Sequence, residues 1–254
     1  MRLINWNISA FNKNIRRALD NILSHCPDIL CIQELPQNGL DCLKMFSNYN
    51  LAYLLDIEVN RASKNVFLVI LTRHKIVDTG IYEYCQDKIS SPFIQCSRKI
   101  FGRKKQTKSL YADIETADGI KRVHNLHLSW PVGPETRIRQ FSHFLDVAKP
   151  NKSHLIFGDL NVFGKTRNNI LACIPFGYNL KEFFVDEKVV FQDFFEKYGL
   201  QNPFEGTISS TWPWSFSEAQ LDYILISKNM AVKNKYLLKE TYGSDHKPQI
   251  LEVG

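Results

Sequence analysis

The chain has 254 residues, 44% of them hydrophobic, and a net charge of +6. This supports a sizeable core and argues against a disordered chain, and no apolar run approaches the ~20 residues of a bilayer-spanning helix. The basic balance suits an anionic partner, and six scattered cysteines with no CxxC pair argue against a disulfide framework or a zinc site.

The N-terminus, Met1-Arg2-Leu3-Ile4-Asn5-Trp6-Asn7, lacks the apolar segment of a signal peptide. The expectation is a cytoplasmic protein with no stable membrane insertion, and a monomer. Residues 3–8 read as a strand. Ile15, Ala18, Leu19, Ile22 and Leu23 then recur at helical spacing over 14–24, and Pro27 closes that helix. Residues 28–32 form a second apolar strand that runs into Gln33-Glu34. A short helix is expected over 40–46, and strands over 51–57, 66–72 and 76–84. Residues 86–106 hold Lys88, Arg98, Lys99, Arg103, Lys104 and Lys105 against the single acid Asp87. That stretch reads as a basic loop, either tracking phosphates or simply solvated.

Ala117-Asp118-Gly119 between two apolar runs is a hairpin signal, with strands over 109–116 and 120–128. Residues 134–147 are helical, placing Ile138, Phe141 and Leu145 on one face. The run Leu155-Ile156-Phe157 reads as a buried strand ending at Gly158. Short helices are expected over 168–173 and 191–198, and the region 175–219 is otherwise loop-rich. Strands over 221–227, 231–238 and 249–253 close the chain. With no linker, repeat or low-complexity segment, residues 1–254 read as a single domain. Many strands with a few long helices point to two packed sheets, not a doubly wound parallel sheet.

The strand ends carry the chemistry. They supply Asn7, Glu34, Asn125 and His127, Asp159 and Asn161, Asp222, and Asp245 with His246. Residues two apart on a strand share a face, so Asn125 and His127 point one way while His124 points the other. Carboxylates and amides without thiolates suit a hard cation such as Mg²⁺ or Mn²⁺. A histidine beside a carboxylate can be held as a base or kept protonated against developing charge. Together these groups fit metal-assisted hydrolysis of a phosphate ester.

The motifs Asn5-Trp6-Asn7-Ile8, Gln33-Glu34, Asn125-Leu126-His127-Leu128, Gly158-Asp159-Leu160-Asn161, Thr211-Trp212, Leu221-Asp222-Tyr223-Ile224 and Ser244-Asp245-His246-Lys247-Pro248 occur in one order along nearly the whole chain. In that order they resemble the endonuclease/exonuclease/phosphatase superfamily of deoxyribonuclease I. The resemblance implies an α+β fold, a four-layer α/β/β/α sandwich of two packed mixed sheets with helices outside and the site at one end. It implies a metal at Glu34, with Asn7 beside it and Asp245 nearby. Asp159 would orient or deprotonate the attacking water, and Asn161 would hold a phosphate oxygen. His246, oriented by Asp222, and His127 would both face the scissile phosphate.

The chain departs from the AP endonuclease pattern at Ser9, Pro36 and His127, and Gln220 stands where the superfamily often carries arginine. The leading expectation is a divalent-metal-dependent phosphodiesterase acting on nucleic acid. Arg16-Arg17, the basic stretch 86–106 and the aromatic run Trp212, Trp214 and Phe216 motivate it. A lipid or inositol phosphate hydrolase is the competing enzyme. A catalytically silent binding protein on the same scaffold is the third reading.

Overall fold

The computed structural model describes residues 1–59, 64–85, 95–96, 102–130, 132–164, 178, 181–210 and 220–254. In chain order the elements are β1 (Arg2–Asn7), α1 (Ile15–Ser24), β2 (Ile29–Pro36), α2 (Gln37–Leu43), β3 (Asn50–Val59), β4 (Val66–Thr72), β5 (Ile76–Glu83) and β6 (Arg103–Lys105). They continue with β7 (Lys108–Thr116), β8 (Gly119–His127), α3 (Pro134–Ala148), β9 (His154–Val162), α4 (Glu187–Lys197), β10 (Leu200–Gln201), β11 (Gln220–Ser227), β12 (Val232–Leu237) and β13 (Gln249–Val253).

One sheet runs β12-β13-β1-β2-β4-β3-β6 and the other β10-β11-β9-β8-β7-β5. Each contains one parallel pair, β1 with β2 and β8 with β9, among antiparallel neighbours. A parallel pair needs a crossover, and α1 and α3 lie within those two connections. Each crossover leaves the carboxyl ends of its two strands side by side at one edge of its sheet. Antiparallel partners add their amino ends there, so Asp222 of β11 lies opposite Asp159 of β9.

The layers follow from strand parity. Leu3, Cys31, Leu68 and Ile70 of the first sheet meet Ala112, Val123, Leu155, Phe157 and Ile224 of the second in a shared core. The alternate residues Ile4, Trp6, Leu30 and Ile32 face outward under Ile15, Ala18, Leu19 and Ile22 of α1. On the other side Leu126, Ile156 and Leu160 face outward under Phe141 and Phe144 of α3 and Phe191 and Phe195 of α4. The result is a four-layer α/β/β/α sandwich.

The inner faces change character along their length. Leu3 gives way to Asn5 and Asn7, and Ile29 and Cys31 to Gln33. Val123 gives way to Asn125 and His127, Phe157 to Asp159, and Ile224 to Asp222. An amide layer closes the apolar part. Gln33 Nε2 donates to Asn5 Oδ1 at 2.8 Å and to Asn125 Oδ1 at 2.7 Å. Asn125 Nδ2 donates to the carbonyls of Ile32 and Val69, and Asn5 Nδ2 donates to the Gly158 carbonyl of the opposite sheet. Buried amides require such partners. Here they also tie the sheets together just beneath the polar end.

Several boundaries differ from the sequence reading. β9 does not end at Gly158 but runs to Val162, with all nine residues buried. Asp159 and Asn161 remain in the ladder because partners at the polar end satisfy them. α2 starts at Gln37 and α4 at Glu187, earlier than their apolar spacing indicates. Part of the basic stretch, Arg103–Lys105, is a strand at the edge of the first sheet. Lys88, Arg98, Lys99, the helix expected over 168–173, Thr211, Trp212, Trp214 and Phe216 lie outside the described residues. Among the described residues, no helix is long and apolar enough to cross a membrane.

Gly158 has a packing reason to be glycine. A Cβ there would stand 2.4 Å from the Leu126 carbonyl oxygen of the adjacent strand, and backbone cannot swing aside as a side chain can. Gly158→Ala is expected to lower the unfolding free energy by about 1–3 kcal/mol, read by urea denaturation followed by circular dichroism. Unchanged stability would mean that β8 and β9 can spread at this point.

Candidate active site

The polar end converges on one carboxylate. Asp159 is 2% exposed, and Asn7 Nδ2 donates to its Oδ2 at 2.9 Å from across the sandwich. Its Oδ1 accepts the backbone N–H of Asn161 at 3.0 Å. Two imidazoles flank it, with His127 Nε2 and His246 Nε2 each 3.9 Å from Asp159 Oδ2. Each ring turns its other nitrogen to a buried carboxylate. His246 Nδ1 meets Asp222 Oδ2 at 2.8 Å, and His127 Nδ1 meets Asp56 Oδ2 at 2.7 Å. Two histidine–aspartate pairs, one from each flank, therefore present Nε2 to a common centre.

Local backbone devices hold these groups. Ser9, Glu34 and Asn161 carry φ values of 65°, 55° and 53°, in the left-handed region that non-glycine residues rarely occupy. The turn at Ser9 brings its N–H onto Asn7 Oδ1 and the Ala10 N–H onto Glu34 Oε2, both at 3.0 Å. Such strain persists where surrounding bonds over-determine it, and it concentrates at functional sites. Ser244 bridges the last element: its hydroxyl donates to the Asn7 carbonyl at 2.7 Å and accepts the His246 N–H at 3.0 Å. That bridge sets Asp245, half-buried, beside the end of β1. Trp6, fully buried, donates from Nε1 to the His246 carbonyl and fixes the same turn from behind.

The electrostatics follow from burial and charge. Burial opposes a charge on His246, but the carboxylates of Asp222, Asp159 and Asp245 outweigh it and raise the pKa to about 10. Burial pushes Asp159 up to about 6, with Asp222 adding to the rise and His246, His127 and Asn7 opposing it. Burial would also raise Asp56, yet Lys105 and His127 together hold its carboxyl below the ordinary range. At neutral pH the centre therefore has an imidazolium on one side and a carboxylate able to take a proton between the rings.

Of the residues expected from sequence, Asn7, Glu34, His127, Asp159, Asp222 and His246 are brought together by direct hydrogen bonds or by approaches within 4 Å. Glu34 Oε1 lies 3.7 Å from His127 Nε2. Asn161 lies next to the cluster, its Nδ2 donating to the Leu128 carbonyl at 3.0 Å. Asn125 shares the face of His127 but sits one layer deeper, within the amide network. His124 faces the opposite side, buried against His154 at 3.1 Å. Gln220, in the position where arginine is common, bonds Asn202 and the Asp222 carbonyl.

Asp56 and Lys105 went unrecognised in the sequence. The available signal was a lone acid inside an apolar strand, Leu54-Leu55-Asp56-Ile57, since a carboxylate there demands partners. Nothing in the sequence named those partners.

A hard cation fits the donor set. Glu34, Asp159 and Asp222 gather at one end, and among the described residues none of the three pairs with a lysine or arginine. Glu34 is the open member, its side chain 20% exposed and one oxygen toward the His127 imidazole. Ligand atoms of Asp159, Asp222 and His246 also lie within 4.8 Å of one another. There, however, Asp222 Oδ2 is committed to His246, while Asp222 Oδ1 is buried without a partner among the described residues. Oxygen donors around a partly open carboxylate are the usual setting for Mg²⁺ or Mn²⁺.

The sequence matches the Endonuclease/Exonuclease/phosphatase family over residues 4–246. No curated protein matches it. Among solved structures, the chain is similar to an endonuclease/exonuclease/phosphatase from Beutenbergia cavernae, with 16% identity and a TM-score of 0.70 over 100% of this chain and 71% of that one. It is similar to the human Nocturnin catalytic domain with bound sulfate anion, with 17% identity and a TM-score of 0.70 over 100% and 94% of the two chains. A mannosyl-6-phosphatase from Bacteroides thetaiotaomicron gives 16% identity and a TM-score of 0.64 over 100% and 99%. These likenesses carry the fold, the same two packed sheets with outer helices.

The His246–Asp222 pair has a measurable consequence. Because the folded pKa is raised above the ordinary 6.5, the pair's contribution to stability is fully present below about pH 6.5 and is lost as pH rises through about 10. In metal-free protein, NMR of the His246 ring should show it still charged at pH 8, and Asp222→Asn should bring its titration down toward the ordinary range. A wild-type ring already neutral at pH 8 would contradict this account.

Proposed function

The chain belongs to the endonuclease/exonuclease/phosphatase family, whose members hydrolyse phosphoric esters, and we propose that it is a divalent-metal-dependent phosphodiesterase acting on nucleic acid. The observation that carries this reading is the convergence of two imidazole Nε2 atoms on Asp159, with the open carboxylate of Glu34 alongside. That arrangement can hold a phosphate between two imidazole nitrogens while a carboxylate handles water.

The geometry supports the following roles. Glu34, with Asn7 and Asp245 beside it, would hold Mg²⁺ or Mn²⁺, and the bound ion would neutralise phosphate charge. Asp159, with a pKa near 6, is poised to accept a proton from the attacking water near neutral pH. Asn7 orients Asp159 through its 2.9 Å hydrogen bond. His246, held charged by Asp222, stabilises negative charge on the phosphate, and His127, oriented by Asp56, presents Nε2 from the other side. Asn161, fixed by the Leu128 carbonyl, lines the same edge and contributes a further donor to a phosphate oxygen.

Nucleic acid is favoured as substrate by charge. The net charge is +6. Arg17 on α1 and Lys104 on β6 are exposed. Arg16 pairs with Asp20 and covers the Phe46 ring at 5.5 Å, so Arg17 is the less committed arginine of that pair. A polyanion gains from several such charges at once, whereas a small phosphate ester reaches only the centre.

The test is a substrate panel with Mg²⁺ or Mn²⁺: single- and double-stranded DNA, RNA, abasic DNA, sphingomyelin and inositol phosphates. Hydrolysis of nucleic acid is expected, with binding that weakens steeply as salt rises. His246→Ala and Asp159→Ala should each lower kcat by about 10²–10⁴-fold. Turnover of lipid or inositol phosphate alone would overturn the substrate assignment. Binding without turnover of any substrate would overturn the enzyme reading in favour of a silent scaffold.

A further inference from the structure

The two histidine–aspartate pairs are alike in geometry and unlike in what stands behind them. Each Nδ1 meets a buried carboxylate at 2.7 or 2.8 Å, and each Nε2 stands 3.9 Å from the same oxygen of Asp159. Among the described residues there is no cation behind Asp222 and no partner for its buried second oxygen. Behind Asp56 stands Lys105. Its Nζ lies 2.6 Å from Asp56 Oδ1, and the two side chains are 7% and 0% exposed.

The Lys105 contact is built into the sheet. Lys105 ends β6, the edge strand whose register sets Lys105 opposite Ile57 of β3. The next residue, Gln106, donates its N–H to the Asp56 carbonyl at 2.7 Å. Asp56 is thus gripped through its backbone and through one carboxylate oxygen by the same short segment, leaving the other oxygen for His127. A carboxylate held at both oxygens cannot rotate, and neither can the imidazole it orients.

We propose that Lys105 is a positioning residue for hydrolysis, locking Asp56 so that the His127 imidazole keeps Nε2 on the reacting centre. It acts only through Asp56 and His127 and does not touch substrate. Among the described residues the pair on the His246 side has no such lock. The inference rests on the hydrolytic reading of the site, and one of its tests is independent of turnover.

Lys105→Met and Lys105→Arg are compared with wild type on bis(p-nitrophenyl) phosphate with Mn²⁺, each also in a His127→Ala background. Lys105→Met should lower kcat by about tenfold or more with KM little changed, in line with losses on removing a partner that orients a site residue. Lys105→Arg should restore most of the rate. In the His127→Ala background Lys105→Met should cost nothing further. In metal-free protein the slowly exchanging, downfield Nδ1–H resonance of His127 should vanish in Lys105→Met and return in Lys105→Arg.

An equal loss in both backgrounds, or a rise in KM at constant kcat, would overturn the proposal, the latter by making Lys105 a substrate contact. If Lys105→Met fails to fold, Lys105→Gln takes its place in both measurements. If wild type does not turn over the phosphodiester, the hydrolytic reading fails. The resonance then still decides whether Lys105 orders His127, and its persistence in Lys105→Met would overturn the proposal.

Discussion

The carboxylate of Asp159 sits between two sheets with almost no access to water, and the polar end of the molecule is arranged around that constraint. A charge so buried needs hydrogen-bond donors or positive charge close by. Asn7 supplies a donor from the opposite sheet, the Asn161 N–H supplies one from its own strand, and two imidazoles stand within 4 Å. Each imidazole then needs its own carboxylate, which brings Asp56 and Asp222 to the same depth. The amides of Asn5, Gln33 and Asn125 form the floor that separates this charged layer from the aliphatic core. Remove the need to stabilise Asp159 and little reason remains for those residues to be where they are.

Much of this was legible in the sequence, because parity on a strand is a strong constraint. The inner-face series Leu3-Asn5-Asn7, Val123-Asn125-His127 and Leu155-Phe157-Asp159 can each be read two residues at a time. The same parity separated His127 from His124, and in the folded protein the two rings lie on opposite faces of β8. The two-sheet architecture followed from many strands and few long helices. What escaped reading was contact between segments distant in sequence. Asp56 and Lys105 are 49 positions apart, and β6 is only three residues long. An edge strand that short has no detectable period, so its lysine read as part of a solvated or phosphate-tracking stretch. β9 was cut short for the opposite reason: Asp159 and Asn161 look like strand breakers until their partners are known.

The two flanks of the site also differ in what stands behind each imidazole. His246 is held charged chiefly by Asp222, which among the described residues pairs with no lysine or arginine, while the aspartate behind His127 is shared with an ammonium. On the proposed reading, His246 would oppose charge developing on the phosphate while His127 keeps its geometry. Metal chemistry fits at the remaining open edge, where Glu34 is held by the Ala10 N–H in a left-handed backbone conformation.

The central claim is that Asp222 serves His246 while the cation belongs to Glu34, and the two possible metal positions make this directly observable. A crystal structure of the protein soaked with Mn²⁺ and inorganic phosphate, with anomalous data, would locate the ion. The account predicts an anomalous peak about 2.1 Å from a Glu34 carboxylate oxygen. The phosphate should lie within hydrogen-bonding reach of His127 Nε2 and His246 Nε2, and the His246–Asp222 bond should remain intact. A metal seated instead among Asp159, Asp222 and His246, with that bond broken, would contradict it.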